Sequence, residues 1–346
     1  MYKWFAVKRV LKGIFTYVII IFIMSVLFNT VNEQTMRSSI EEQVRAETMR
    51  LKNMQPSALQ HFQEQRRQEL IRLYRLDRPL MERILFRTWN TITFNFGKST
   101  IIKSSRGDRE VLTIVGEAIP RSLILFTAAM AIEIVVGIIL GLKKAQKPGS
   151  SLDKSTSLIT MIVYGMPTFW LAMILIMFFV YQLKIFPSGG MHTVPPPQGI
   201  MYYIDFLWHM TLPLLTLLLI GFWGIAFVVR NIVLSILQED YIMAARARGI
   251  PENKVLFGHT LRTAAPPLIT MSVLSLLASI GGAIIFEGIF SWPGLGNLYW
   301  IAVQQNDIPV LMGDLAITVG LYQVGLILLD LTYGFMDPRI KVGGKA

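Results

Sequence analysis

Six runs of apolar residues, at about 13–28, 122–142, 157–180, 210–229, 268–290 and 315–336, restrict what this chain can fold into. A helix needs roughly 20 predominantly apolar residues to cross a bilayer, and in the hydrocarbon core every backbone N–H and C=O must be bonded within the protein. The expectation is an all-α polytopic membrane protein of six transmembrane helices. Charge content agrees: 16% of residues are charged, against roughly 25% in soluble domains. The first run is short and follows the basic segment MYKWFAVKRVLK, but no small-residue cleavage site follows it, so it is read as an uncleaved first helix.

The net charge of +11 would suggest nucleic acid in a soluble protein; here its placement gives orientation instead. Sixteen lysines and arginines fall on one side: four before the first run, four in 143–156, five in 230–267 and three in the tail. The loops 181–209 and 291–314 opposite carry only Lys184. The positive-inside rule then puts both termini and the 230–267 loop in the cytoplasm. Residues 29–112 hold fifteen more basic residues, but loops of that length cross largely regardless of charge.

That long loop is expected to be helical. Ser38 and Ser39 each precede a glutamate by three residues, a capping-box pattern, and beyond Pro56 the residues Leu59, Phe62, Leu70, Leu73 and Leu76 recur at helical spacing. The division expected is an N-terminal span over 1–30, a helical extracytoplasmic insertion over 31–112 and a membrane core of five helices over 113–346. FGKST at 96–100 imitates the end of a phosphate-binding loop, but Ile92 stands where that motif needs glycine, so no nucleotide site is read there. The absence of cysteine excludes disulfides and thiolate chemistry, and the four histidines are too scattered for a HExxH pair.

Glu133 lies within the second run, where an acid costs about 2.5 to 3.5 kcal/mol unless it faces the bundle interior or water. A structural hydrogen bond to a neighbouring helix is the simpler reading. An ion-coupled secondary transporter using Glu133 is the alternative.

The cytoplasmic stretch YIMAARARGIPENKVLFGHTLRTAAPP, 241–267, is longer than a helix-to-helix turn needs. Good helix formers end at Gly249, which suits the left-handed position past a helix end, and Pro251 suits a following first turn. Val255, Leu256 and His259 are expected on one side of the second helix. The small Ala244 and Ala245 would let another surface approach the backbone. A basic amphipathic loop on anionic lipid would explain the arginines, but not the alanine pair, glycine and proline at these offsets.

AARARG followed by HTLR resembles the cytoplasmic loop of ATP-binding-cassette importer permeases, with Ala244, Ala245, Gly249 and Leu261 matching its pattern. Met243, His259 and Arg262 depart from it. FEGIFSWPGLGNL at 286–298, YGFMDPRIK at 333–341, and LYRLDRPLMERIL with NFGKS at 73–99 resemble the dipeptide, oligopeptide and nickel branch. The resemblance implies a coupling loop formed by Tyr241, Ala244, Ala245, Arg246, Arg248, Gly249, Pro251, Leu256, His259 and Leu261. This loop would seat in a cleft of a separate ATPase, with Arg246 and Arg248 pairing with its acids or with lipid.

The resemblance further implies an external gate or binding-protein landing surface at Glu287, Trp292, Pro293, Gly294 and Gly296. Ser272, Ser275 and Ser279 are either cavity lining or helix packing. No cofactor or metal is expected in this chain, ATP and Mg belonging to two partner ATPase subunits. The other implied partners are a second, related permease in a heterodimer, an extracytoplasmic substrate-binding protein and membrane lipid, not nucleic acid. The implied location is a prokaryotic cytoplasmic membrane.

Overall fold

The computed structural model describes residues 2–31, 33–49 and 56–336, so most of YGFMDPRIK lies outside the described residues. In chain order the helices are α1 (Tyr2–Val31), α2 (Glu33–Met49), α3 (Pro56–Leu73), α4 (Leu80–Ile92), α5 (Val111–Gln146), α6 (Ser151–Tyr164) and α7 (Thr168–Leu175), which continues as a π-helical stretch Ile176–Gln182. They continue with α8 (Ile200–Leu237), α9 (Asp240–Ala247), α10 (Glu252–Lys254), a π-helical stretch Val255–Thr260, α11 (Leu261–Ala278), α12 (Ile284–Ile289), α13 (Leu295–Gln304) and α14 (Ile308–Met336).

Among the described residues, five helices are long and apolar enough to cross a membrane: Trp4–Thr30, Val111–Gln146, Ile200–Leu237, Glu252–Gly281 and Ile308–Leu331. The expected third span is not one straight helix. Ser151–Val163 and Thr168–Gln182 are bent by 97° at the break, and they make a sixth span only if taken together. Pro167 causes the break: its ring disfavours helical geometry at Met166 and it has no N–H to donate. The fifth span is also displaced from 268–290. Its helix begins at Glu252, absorbs Pro266 and Pro267, and ends before Gly282, whose φ of 65° a side chain would resist. Lys254 and Arg262 depress apolar content there without breaking the helix.

Two compact units make up the chain, Met1–Gly116 with Ile301–Ala346, and Glu117–Trp300. In the first, α1 packs on α14 so closely that a Cβ on Gly13 would come within 2.5 Å of Ile327. Helices α2 and α3 pair around Ile40, Val44, Leu70 and Leu76. Arg66 and Arg67 of α3 clamp Glu47 and Glu41 of α2 respectively, each at 2.8 Å, and the Arg67 hydrogen bond holds the Glu41 carboxyl below its usual range. The capping-box serines do not start α2, which is already helical at Glu33, where Arg83 reaches the carboxylate at 2.7 Å. Leu73 is exposed, whereas Leu70 is buried.

The FGKST segment has a structural anchor. Ser99 Oγ donates to Asp307 Oδ2 at 2.5 Å, and the N–H groups of Ile101 and Ile102 donate to the same oxygen at 3.0 and 3.2 Å. Asp307→Asn keeps one acceptor oxygen but loses the charge, and is expected to cost about 1 to 2 kcal/mol, read as a lowered thermal midpoint of the purified chain.

In the second unit, Gly137 and Gly141 of α5 form a G-x-x-x-G face against α8. A Cβ at either would lie 2.6 Å from Ile225 or Val229, so only glycine admits this approach. Asp153 of α6 holds Arg230 of α8 in a two-point pair at 2.5 and 2.6 Å, and Gly149 N–H donates to the same carboxylate at 3.0 Å.

Candidate functional site

Helix α8 gives way at Gln238, and α9 starts with Asp240 in its first turn, where an acid complements the positive end of the helix dipole. Gly249 ends the helix at φ 74°. Its N–H donates to Arg246 O at 2.9 Å, and that of Ile250 donates to Ala245 O at 3.3 Å, the paired bonds of a Schellman cap. Pro251 sits at the N-cap of α10, one position before the expected first turn. The two short helices thus form an elbow, closed by Arg246, which grips Glu252 at 2.6 and 3.1 Å. That hydrogen-bonded pairing raises the Arg246 pKa.

The inner face of the elbow is continuous with the bundle. Ile242, Ala245, Val255 and Leu256 pack with Leu142 and Ala145 of α5, Val229, Val233 and Leu237 of α8, and Ala264 and Leu268 of α11, with Leu261 alongside. Full burial of side chains such as Ile242 and Leu256 stabilises by about 1.5 to 3 kcal/mol each, so the elbow is fastened to three long helices at once. Ala245 is small for this inward packing, while Ala244 is exposed, so the two alanines serve opposite faces.

The outer face presents Met243, Ala244, Arg248, Gly249, Pro251 and His259. His259 is exposed although Val255 and Leu256 are buried, because the wider π-helical turn over Val255–Thr260 rotates it off their side. Tyr241 is exposed and ties the elbow to α11 through a 2.8 Å bond from its hydroxyl to Thr263 Oγ1.

The second group of residues, in 286–298, is organised around a buried carboxylate. Glu287 Oε1 accepts from Ser122 Oγ at 2.7 Å, and Oε2 accepts the Asn297 N–H at 3.0 Å. Ser122 Oγ in turn accepts the Leu295 N–H at 2.7 Å. Trp292, fully buried, donates its ring N–H to Arg121 O at 2.9 Å, and Pro293 O accepts from Arg121 at 3.4 Å. Gly294 and Gly296 leave no room for a Cβ, the first because Ser122 and Glu287 occupy the space. Glu287 and Trp292 therefore face the interior of the unit and shape the turn from within, while Ser291 is exposed.

The remaining expected residues lie apart from both groups. Ser272 Oγ bonds Leu268 O at 2.8 Å and Ser279 Oγ bonds Leu276 O at 2.7 Å, while Ser275 is half-buried on the same helix. Glu133 is buried against Gly221 of α8, where a Cβ would strike its carboxyl, and among the described residues no hydrogen bond reaches that carboxylate. Sequence reading passed over the Gly137–Gly141 face, although its four-residue spacing is a readable signal. It also passed over Asp153, Arg230, Ser122 and Asp307, for which partners 77 to 208 residues away leave no local pattern.

The family described as "Binding-protein-dependent transport system inner membrane component" matches residues 133–342. The oligopeptide transport system permease protein AppB of Bacillus subtilis (strain 168) is 34% identical over 80% of this chain and 85% of its own length. The di/tripeptide transport system permease protein DppB of Pseudomonas aeruginosa (strain UCBPP-PA14) is 32% identical over 77% and 82%. Among solved structures, the MetNI methionine ABC transporter in an inward-facing conformation matches with a TM-score of 0.47 and 20% identity, covering 64% of this chain and 94% of that one. With the family matched over most of its length and relatives aligned across four-fifths of it, the chain belongs to the binding-protein-dependent transport system inner membrane components, the permease subunits of ATP-binding-cassette importers.

Proposed function

We propose that the chain moves peptides inward across the cytoplasmic membrane by alternating access driven by ATP hydrolysis in partner subunits. The names of its relatives as oligopeptide and di/tripeptide permeases support peptides as cargo. A binding-protein-dependent system implies ATPase and binding-protein partners; the finer arrangement is our reading. It has both termini and the elbow in the cytoplasm, residues 31–112 outside, the transport core in 113–346, and a heterodimer with a second, related permease.

One observation carries the mechanism. The outer face of the elbow is exposed and carries the small Ala244 and Gly249, whereas its inner face is buried against α5, α8 and α11. Seated in an ATPase cleft, such an elbow passes a displacement to three long helices, because packed interiors move as units and do not deform continuously. ATP and loaded binding protein shift the inward and outward states only through their differential affinity for each. The turn held by Glu287 shapes the external gate, and Ser272, Ser275 and Ser279 serve helix packing.

The chain has no native cysteine, so single-cysteine cross-linking is unambiguous. With the assembled transporter and a short bifunctional reagent, Ala244→Cys and Arg248→Cys are expected to join the ATPase subunit, and the inward-facing Ala245→Cys is not. Absence of any cross-link from the outer pair would remove the elbow as the coupling element.

A further inference from the structure

The first unit contains a cavity of about 590 Å³ that no part of the transport mechanism above uses. Six cationic side chains line it: Arg66, Arg75, Arg83, Arg87, Lys98 and Arg109. Three have acidic partners, Arg66 in Glu47 and Glu69, Arg83 in Glu33, and Lys98 in Glu110. Among the described residues the other three have none. Arg75 lies 3.4 Å over the ring of Phe86, and Arg109 donates to Thr100 O at 3.2 Å. Arg87 has a buried Nη1 with no hydrogen-bond partner. Burial, and then the neighbouring Arg83, lower its pKa to about 10, which leaves it protonated at neutral pH. Asp307 is not among the residues lining the cavity, and its carboxylate is turned to Ser99, Ile101 and Ile102. A guanidinium on a half-buried side chain with a buried, unbonded N–H is costly unless an anion meets it.

The surroundings indicate where that anion comes from. Asn29, near the end of α1, and Ile308, Pro309 and Met312, at the start of α14, also line the cavity, which places it level with the ends of two spans. Helix α4 carries Arg83 and Arg87 one turn apart on the cavity side and leaves Met81, Leu85 and Trp89 exposed at 61, 55 and 67% on another face. An apolar stripe opposite a basic one is the pattern of a helix lying in the membrane interface. Guanidinium groups match phosphate oxygens in planar, multiple hydrogen bonds.

We propose that this cavity binds the phosphate-bearing headgroup of an anionic phospholipid, with Arg87 and Arg109 as its principal donors and α4 as the interfacial helix beside it. The site is independent of cargo and of ATPase coupling. It makes lipid a ligand of this unit as well as its solvent.

The test uses the full-length chain in detergent, with phosphatidylglycerol or phosphatidylcholine added and retained lipid counted by native mass spectrometry. Phosphatidylglycerol is expected to be retained over phosphatidylcholine, and Arg87→Gln with Arg109→Gln to lower that retention about tenfold, the worth of one charge-assisted bond. Arg87→Lys should restore part of it, and Lys154→Gln in the other unit should leave it unchanged. Removing charges that have no acidic partner among the described residues is not expected to unfold the chain, which the thermal midpoint checks. Equal retention of the two lipids, or full retention by the double variant, would overturn the proposal. Displacement of phosphatidylglycerol by equimolar inorganic phosphate would overturn it too, pointing to a free-anion site.

Discussion

Gly249→Val is expected to abolish ATP-driven peptide uptake while the chain remains inserted and assembled. Gly249 has a φ of 74°, a region that costs an ordinary L-residue roughly 1 to 2 kcal/mol and is an outlier for a β-branched one. Open space surrounds the position, so the effect is conformational rather than steric. Valine would unwind the Schellman cap, swing Ile250 off its buried neighbours and change the angle between α9 and α10. Uptake in proteoliposomes containing the assembled transporter should fall by more than about tenfold, a change of 1.4 kcal/mol or more in the coupling step. Gly249→Asn, which tolerates the left-handed region, should retain most of it. Wild-type uptake by the valine variant would show that the shape of the elbow does not matter.

Glu287→Ala is expected to carry the largest cost to stability. The substitution strands the Ser122 hydroxyl and the Asn297 amide, and each buried group left without a partner costs about 1 to 3 kcal/mol. The emptied volume beside Gly294 adds a cavity term, for a total of about 3 to 5 kcal/mol. Glu287→Gln, keeping one acceptor oxygen, should lose roughly half as much, and Ser291→Ala on the exposed side of the turn should change little. Thermal unfolding of the purified chain in detergent reads all three. A Glu287→Ala midpoint indistinguishable from that of Ser291→Ala would mean that the carboxylate does not hold the turn.

The outcomes differ in how local their causes are. Apolar runs announced the helices because a bilayer-spanning segment satisfies its backbone within itself. Spans broke where that reasoning was pushed too far: Pro167 splits a run that averages as one, and the helix from Glu252 extends through charged residues that hydropathy discounts. In the elbow, Gly249 and Pro251 were legible because each answers a backbone requirement of its own position. The facing of His259 was not, since a single π-helical turn redistributes side chains around the axis, and that of Ala244 and Ala245 was not, since only packing against the bundle decides which of two adjacent alanines turns inward.

Glu287 illustrates the same limit. An acid and a tryptophan beside glycines in a loop expected to be external suggest an exposed surface, yet the chain folds them inward, where Ser122, 165 residues earlier, supplies a hydroxyl to the carboxylate. Arg87 does likewise: one of fifteen basic residues in a long loop, it gains meaning only once α4 turns it into a cavity without an acid.

Sequence by itself determined the helical membrane architecture, the glycine hinge between two short helices and the family, all of which rest on chemistry read within one segment. Tertiary structure alone decided which alanine faces the bundle, which carboxylates hold loops together and which arginines, among the described residues, line a cavity without an acidic partner. Those depend on partners that only the folded chain brings within bonding distance, and no local pattern encodes a neighbour a hundred or more residues away.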